Sequence, residues 1–85
     1  MATQQLKENL STADEWVKLA KKRVKVPKSW IEAKYSKEAD SLYIQLLDSP
    51  ATRSKGDLTK SIVYDYDKEN RLVGIEVINL YGVYV

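Results

Sequence analysis

The fold of this chain is decided by two stretches, Tyr35-Ser-Lys-Glu-Ala-Asp-Ser-Leu-Tyr-Ile-Gln-Leu46 and Asp67-Lys-Glu-Asn-Arg-Leu-Val-Gly-Ile-Glu-Val-Ile-Asn79. Each joins a charged segment to a run rich in Ile, Leu, Val and Tyr. Aliphatic β-branched and aromatic residues favour strands, whereas Asp, Asn and charged residues favour the turns between them. The two stretches therefore predict parts of one small antiparallel sheet.

Further runs of period-two alternation extend this sheet on both sides. The predicted strands are Trp30–Tyr35, Ser41–Leu47, Lys60–Tyr66 and Arg71–Asn79, with Tyr81–Val85 as a candidate fifth. The links at residues 36–40 and 67–70 have the length of hairpin connections. Residues 48–59 hold Pro50, Gly56 and several polar side chains, so they predict a long mobile loop.

Before the predicted strands, apolar residues recur with the period of an α-helix. Six apolar residues recur at spacings of three and four and predict one amphipathic helix within residues 3–26: Leu6, Leu10, Ala13, Val17, Ala20 and Val24. Capping-box spacings place its start at Thr12–Ala13, with a start near Thr3 as the alternative. Pro27 is expected to end it.

The predicted fold class is therefore α+β: one N-terminal amphipathic helix followed by a four- to five-stranded antiparallel β-meander. Residues 1–28 form a basic segment containing the helix, and residues 29–85 form the sheet. The two parts together are expected to make one domain, because 85 residues are too few for two.

Composition excludes several kinds of chemistry. The chain has neither cysteine nor histidine, which removes thiolate metal sites and every mechanism that needs a histidine base. We therefore expect no enzyme activity, no cofactor and no metal site. No apolar run approaches the roughly 20 residues that span a bilayer. The expectation is a soluble, unprocessed cytoplasmic protein without a membrane partner.

The two quoted stretches carry a family resemblance. The pattern Tyr35-x-x-Glu38-Ala39-Asp40-x-Leu42-Tyr43-Ile44-x-Leu46 resembles the opening of the bacterial domain of unknown function 2283 family. The pattern Asp67-x-x-x-Arg71-Leu72-Val73-Gly74-Ile75-Glu76-Val77-Ile78 resembles its closing segment. The resemblance covers about residues 30–79 and implies a small β-rich domain. Members are often encoded beside small toxin-like proteins, which implies an antitoxin-like role without assigning any site residue.

Both faces of the predicted sheet carry apolar side chains, since Leu42 and Ile44 alternate with Tyr43 and Leu47. One helix covers only one face, so the other face is expected to bind a second copy or a different partner. We therefore expect a homodimer. The predicted partner interface comprises Tyr43, Leu47, Leu72, Ile78, Tyr81 and Tyr84.

The net charge of +2 is unevenly distributed. Residues 1–28 carry seven Lys or Arg and three Asp or Glu, a net charge of +4, which leaves −2 for the remainder. On an ideal helix, four lysines share one arc, and they are the candidate nucleic-acid contacts: Lys18, Lys21, Lys22 and Lys25. A solvated helix face is the alternative interpretation of the same cluster.

Residues 65–76 imitate a calcium-binding loop, with acidic groups at loop positions 1, 3, 5 and 12. Asn70 replaces the glycine that the loop requires, and its flanks predict strands instead of helices. A polar hairpin turn is therefore the preferred interpretation, and no metal is expected.

Two functions remain in competition. The first is a non-catalytic protein-interaction module, an antitoxin-like partner of a small bacterial protein. The alternative is a nucleic-acid-binding or regulatory protein that uses the basic helix.

Overall fold

The computed structural model describes residues 12–82, which form one helix and five strands. The helix, α1, covers residues 12–20. The strands are β1 (Glu32–Ser36), β2 (Ser41–Gln45), β3 (Arg53–Asp57), β4 (Ile62–Tyr66) and β5 (Leu72–Ile78). All neighbouring strands are antiparallel within one sheet. The predicted α+β class, one helix followed by a single antiparallel sheet, is confirmed.

The strand order differs from a simple up-and-down meander. It is β1-β2-β5-β4-β3, so the last strand lies between the second and the fourth. The β2–β3 connection, residues 46–52, crosses to the far edge of the sheet. Burial explains this order: Val73, Ile75 and Val77 of β5 are almost fully buried, whereas β3 is polar and exposed. The most apolar strand therefore takes the centre and the most polar strand takes an edge.

The fifth strand is not where the sequence placed it. β3 lies inside residues 48–59, which were predicted to be a mobile loop, so that prediction is wrong for residues 53–57. An edge strand with polar residues on both faces has no period-two signal. Tyr81 and Gly82 follow β5 without forming a strand, and residues 83–85 lie outside the described part of the chain.

The helix ends earlier than predicted. Its last helical residue is Ala20, and Lys21, Lys22 and Arg23 form a turn well before Pro27. The amide of Val24 donates to the carbonyl of Ala20 at 3.0 Å. Leu6 and Leu10 lie outside the described residues. Within those residues no helix is long and apolar enough to cross a bilayer.

The core lies between α1 with its following segment and one face of the sheet. Fully burying a Leu, Ile or Val side chain contributes about 1.5–3 kcal/mol. The core consists of Val17, Ala20, Val24, Val26, Leu42, Ile44, Ile62, Ile75, Val77 and Leu80. The predicted burial of Val17, Ala20 and Val24 is confirmed.

The face of the sheet remote from the helix is largely polar, so the prediction of two apolar faces is wrong. Alternation and register place Tyr43, Gly74 and Glu76 side by side on it, with Lys34 and Asp65 on the flanking strands.

Leu72, expected on that remote face, packs against the helix-side core instead. A register shift at Asp65/Tyr66 pairs Leu72 with Tyr66 and changes the alternation along β5.

Candidate binding site at the end of the helix and the β3–β4 hairpin

A basic cleft lies where the segment after α1 approaches the β3–β4 turn. It has a volume of about 620 Å³ and is open to solvent. Lys21, Lys22 and Lys25 line one side, and Lys60 and Tyr64 line the other. No carboxylate lines this cleft among the described residues. The fold thus gathers four lysine ammonium groups from two distant parts of the chain, and we call this feature the basic cleft.

Arg23 belongs to the same segment, but its side chain forms hydrogen bonds to the backbone of the sheet. Its guanidinium donates to the backbone carbonyls of Ile78 at 2.7 Å, Asn79 at 2.5 Å and Leu80 at 3.0 Å. These three carbonyls belong to the last residue of β5 and the two residues after it, and they would otherwise need water or another donor. Arg23 therefore ties the lysine-bearing segment to the sheet.

Next to the basic cleft is a second depression, of about 550 Å³, on the helix side of the β3–β4 hairpin. No residue of α1 lines it. Leu58 at the hairpin tip is 93% exposed, the largest exposure among the exposed apolar side chains of the described residues. The depression, which we call the hairpin shelf, is lined by Lys55, Gly56, Asp57, Leu58, Tyr64 and Tyr66.

Charged groups hold the hairpin shelf in shape. The guanidinium of Arg53 stacks over the Tyr66 ring, 4.7 Å from its centroid, and also donates to the side chain of Asn70. The hydroxyl of Thr59 donates to Asp57 at 2.7 Å. That bond is the leading reason why the pKa of Asp57 is lowered, and the positive charge of Lys60 adds to it. The hairpin tip is therefore ordered by its own contacts.

The lysines predicted to contact nucleic acid are all exposed, but they do not share one helix face. Lys18 lies on α1 and lines a separate groove with Glu15, Leu19 and Lys22. Because the helix ends at residue 20, Lys21, Lys22 and Lys25 project from a non-helical segment. The structure therefore brings three of the four predicted lysines together in the basic cleft.

The predicted partner-interface residues are not gathered in one patch. Register places Ile78 beside Ser41, at one end of β2, whereas Leu47 follows the other end of that strand. Leu72 faces the helix-side core, and Tyr84 lies outside the described residues. Tyr81 is half exposed and packs edge-on against the Tyr35 ring at 5.3 Å.

Tyr43 lies across the centre of the polar face. Its hydroxyl interacts with Asp65, whose carboxylate also accepts a hydrogen bond from Ser54 at 2.6 Å. Burial raises the pKa of Tyr43, and the negative charges of Asp65 and Glu76 raise it further. A neutral tyrosine that bonds to a fixed carboxylate has a structural role.

The calcium-like segment is a turn organised by Asp67. One carboxylate oxygen accepts bonds from the amides of Glu69 and Arg71, both at 2.9 Å. The other accepts from the Arg71 side chain at 2.9 Å and from Ser49 at 3.1 Å. The amide bond from Arg71 is the leading reason why the pKa of Asp67 is lowered, despite the opposing effect of its burial. Both oxygens are thus occupied by N–H and O–H donors, as the hairpin-turn interpretation expects.

The family pattern around Tyr35 and Asp40 has a structural explanation as well. Asp40 is fully buried and adopts a left-handed backbone conformation, with φ of 49°. Its carboxylate accepts hydrogen bonds from the Tyr35 hydroxyl at 2.5 Å and from the Tyr81 amide at 3.1 Å. The Tyr35 ring packs against Trp16 at 5.4 Å. Asp40 therefore links the β1–β2 turn to the segment after β5 and supports the helix contact.

These features define a small α+β protein in which one helix covers one face of a five-stranded antiparallel sheet. A family model described as "Protein of unknown function (DUF2283)" matches residues 33–80, more than half of the chain. The chain belongs to this family. Neither a curated protein nor a solved structure matches the chain. The matched range contains Lys60, Tyr64 and the hairpin shelf, whereas α1 and the other three lysines of the basic cleft lie outside it.

Two surface residues were missed by the sequence interpretation, Leu58 and Lys60, which lie in a turn that was expected to belong partly to a mobile loop. Tyr64 is, from the sequence, one of several strand aromatics that could stack on bases or form a protein interface, with cross-strand packing as the alternative. An exposed Leu between polar residues, Asp57-Leu58-Thr59, was the available signal for the hairpin tip. Lys60 approaches the end of the helix because of the strand order, and no local sequence pattern predicts that proximity.

Proposed function

We propose that this protein is a non-catalytic protein-interaction module that binds its partner through the hairpin shelf. The resemblance supports the further proposal that the partner is a small bacterial protein and that the role is antitoxin-like. The proposal places the protein in the bacterial cytoplasm, where a chain without cysteine needs no disulfide.

The exposure of Leu58 is the observation that carries the proposal. A leucine that is 93% exposed is hardly buried by the folded chain. Leu58 lines the same depression as Tyr64 and Tyr66, although the register places the Arg53–Tyr66 stack at the other end of the hairpin. Apolar and aromatic side chains within a polar rim are the composition of interface centres. Removing such a side chain from water contributes about 1.5–3 kcal/mol when a partner covers it.

The composition of the hairpin shelf also limits the kind of partner. Arg53 and Lys55 lie on β3, the edge strand, and their charges disfavour the addition of another strand there. The partner is therefore expected to contact side chains on the shelf. An apolar group surrounded by acidic residues would complement Leu58 and Lys55.

A second copy of the chain is the weaker candidate partner. Homodimer formation was expected because the sheet was predicted to have two apolar faces. The remote face instead carries Lys34, Asp65 and Glu76 around Tyr43, so it provides little apolar area for a stable dimer.

The test is co-expression of the tagged chain with the product of the adjacent small open reading frame. We expect the two proteins to co-purify and Leu58→Ser to weaken their affinity at least tenfold. Ile78→Ser is the matched control, because Ile78 is 41% exposed and lies on the other face. Leu58→Ser should keep the wild-type melting temperature, and Ile78→Ser, which removes a partly buried side chain, should lower it by several degrees at most. Failure to co-purify, or equal effects of the two variants, would contradict the proposal.

A further inference from the structure

In the described part of the chain, the basic cleft combines clustered lysines with a lining that contains no carboxylate, which are the features of a site that binds several phosphates. Lys21, Lys22 and Lys25 face Lys60 across an opening of about 620 Å³. Within the described residues, none of these lysines forms a salt bridge. Asp57 interacts electrostatically with Lys60 and lies on the hairpin shelf beyond the cleft lining. Glu15 shares the neighbouring groove with Lys22 and is also outside the cleft lining. The cleft thus keeps an excess of positive charge that its own lining does not neutralise.

The lysine-bearing segment is held in place before any ligand arrives. Burial alternates along it: Val24 and Val26 point into the core, whereas Lys25 is exposed between them. Arg23 fixes the same segment to three carbonyls at the end of β5. A backbone held in this way loses little conformational freedom on binding, which favours affinity.

Tyr64 distinguishes the candidate ligands. It lies on β4 and lines the cleft, and it is only partly buried where it packs against the helix-side core. The exposed part of its ring provides a stacking surface. Single-stranded nucleic acids bind where cations follow the phosphates and aromatic rings stack on the bases. A duplex fits less well, because the lysines stand on a non-helical segment that cannot enter a major groove as a recognition helix does. We infer that the basic cleft binds the backbone of a single-stranded nucleic acid, with Tyr64 stacking on a base.

This inference is independent of the protein partner proposed above, although Tyr64 also borders the hairpin shelf. Four phosphate contacts predict a salt slope of about −3 on a logarithmic scale. Affinity should therefore fall roughly 50-fold when the salt concentration rises from 50 to 200 mM.

The experiment is fluorescence anisotropy of the full chain with a labelled oligothymidylate of about 15 nucleotides. The test variant is Lys22→Glu/Lys25→Glu/Lys60→Glu. The matched control, Lys34→Glu/Lys37→Glu/Lys68→Glu, changes the net charge equally at exposed lysines outside the cleft. We expect at least a 30-fold loss for the test variant and less than a threefold change for the control. Tyr64→Leu should weaken binding about tenfold, and circular dichroism should confirm that each variant is folded.

Three results would overturn the inference. The first is no binding at 50 mM salt. The second is an equal loss in both triple variants, which would indicate attraction by net charge alone. The third is competition by polyglutamate as effective as that by unlabelled oligothymidylate at equal charge, which would assign the cleft to an acidic polypeptide. Leu58→Ser should leave oligonucleotide binding unchanged, so a failed partner test and a failed oligonucleotide test remain distinguishable.

Discussion

The side chain of Tyr43 lies across the backbone of Gly74, in the space that a Cβ at residue 74 would occupy. A Cβ there would overlap the Tyr43 hydroxyl and its ring carbons. Gly74 is buried in β5, and Tyr43 reaches over it from β2 towards Asp65 on β4. The glycine is therefore required by its neighbour, since its own backbone is not in the left-handed region.

Gly74→Ala should lower the free energy of unfolding by about 1–3 kcal/mol, because the tyrosine must leave its position. In a Tyr43→Ala background the same substitution should cost little or even stabilise, since alanine restricts the unfolded chain. Urea denaturation of the four proteins measures this coupling. Additive effects within about 0.5 kcal/mol would contradict the proposed overlap.

Asp67→Asn should lower the melting temperature at pH 7 by several degrees, because an amide cannot accept all four hydrogen bonds. The pKa of Asp67 is lowered from 3.8 in the folded protein, so its contribution to stability is present above that value. It is lost as pH falls through the lower folded pKa. Thermal melts of both proteins between pH 7 and pH 2 should therefore converge at the acidic end. A difference that stays constant with pH would contradict this role.

Arg23→Ala should lower the free energy of unfolding by about 1.5–3 kcal/mol, since three carbonyls at the end of β5 lose a charged donor. Lys22→Ala is the neighbouring control and should change stability by less than about 0.5 kcal/mol. Chemical denaturation of both variants measures the free energy of unfolding that each substitution removes. Equal effects would show that Arg23 acts as an ordinary surface charge.

Multi-angle light scattering at micromolar concentration should give a mass near the 9.8 kDa of one chain. The polar groups around Tyr43 on the remote face make that face a poor dimer interface. A mass twice as large would restore the homodimer that the sequence predicted. In that case Ile78→Ser and Leu58→Ser would show which face the two copies share.

The elements with a strong apolar period were predictable, and those without one were not. Val17, Ala20 and Val24 revealed the buried side of the helix, and the runs around Ile44 and Ile75 revealed β2 and β5. β3 escaped detection because Arg53 and Lys55 leave its helix-side face without an apolar signal. β3 takes the sheet edge because the other strands carry more apolar side chains and occupy the more buried positions.

The candidate site was predictable only in part, for a related reason. The clustering of the lysines was visible in the sequence, but no local pattern distinguished Arg23 from its basic neighbours. Its bonds to Ile78 and Leu80 join residues more than fifty positions apart. Lys60 joins the basic cleft through the same kind of long-range contact, which no local pattern encodes.

The central position of β5 has a consequence for synthesis of the chain on the ribosome. Until residues 72–78 emerge, the β1–β2 and β3–β4 hairpins have no strand between them and share no hydrogen-bonded ladder. Isolated two-stranded hairpins are marginally stable in water. Leu42, Ile44 and Ile62 therefore lack the central strand that covers them until β5, which follows the other four strands in the chain, has been translated. The nascent chain is expected to stay open to chaperones or to its partner until β5 has left the ribosome.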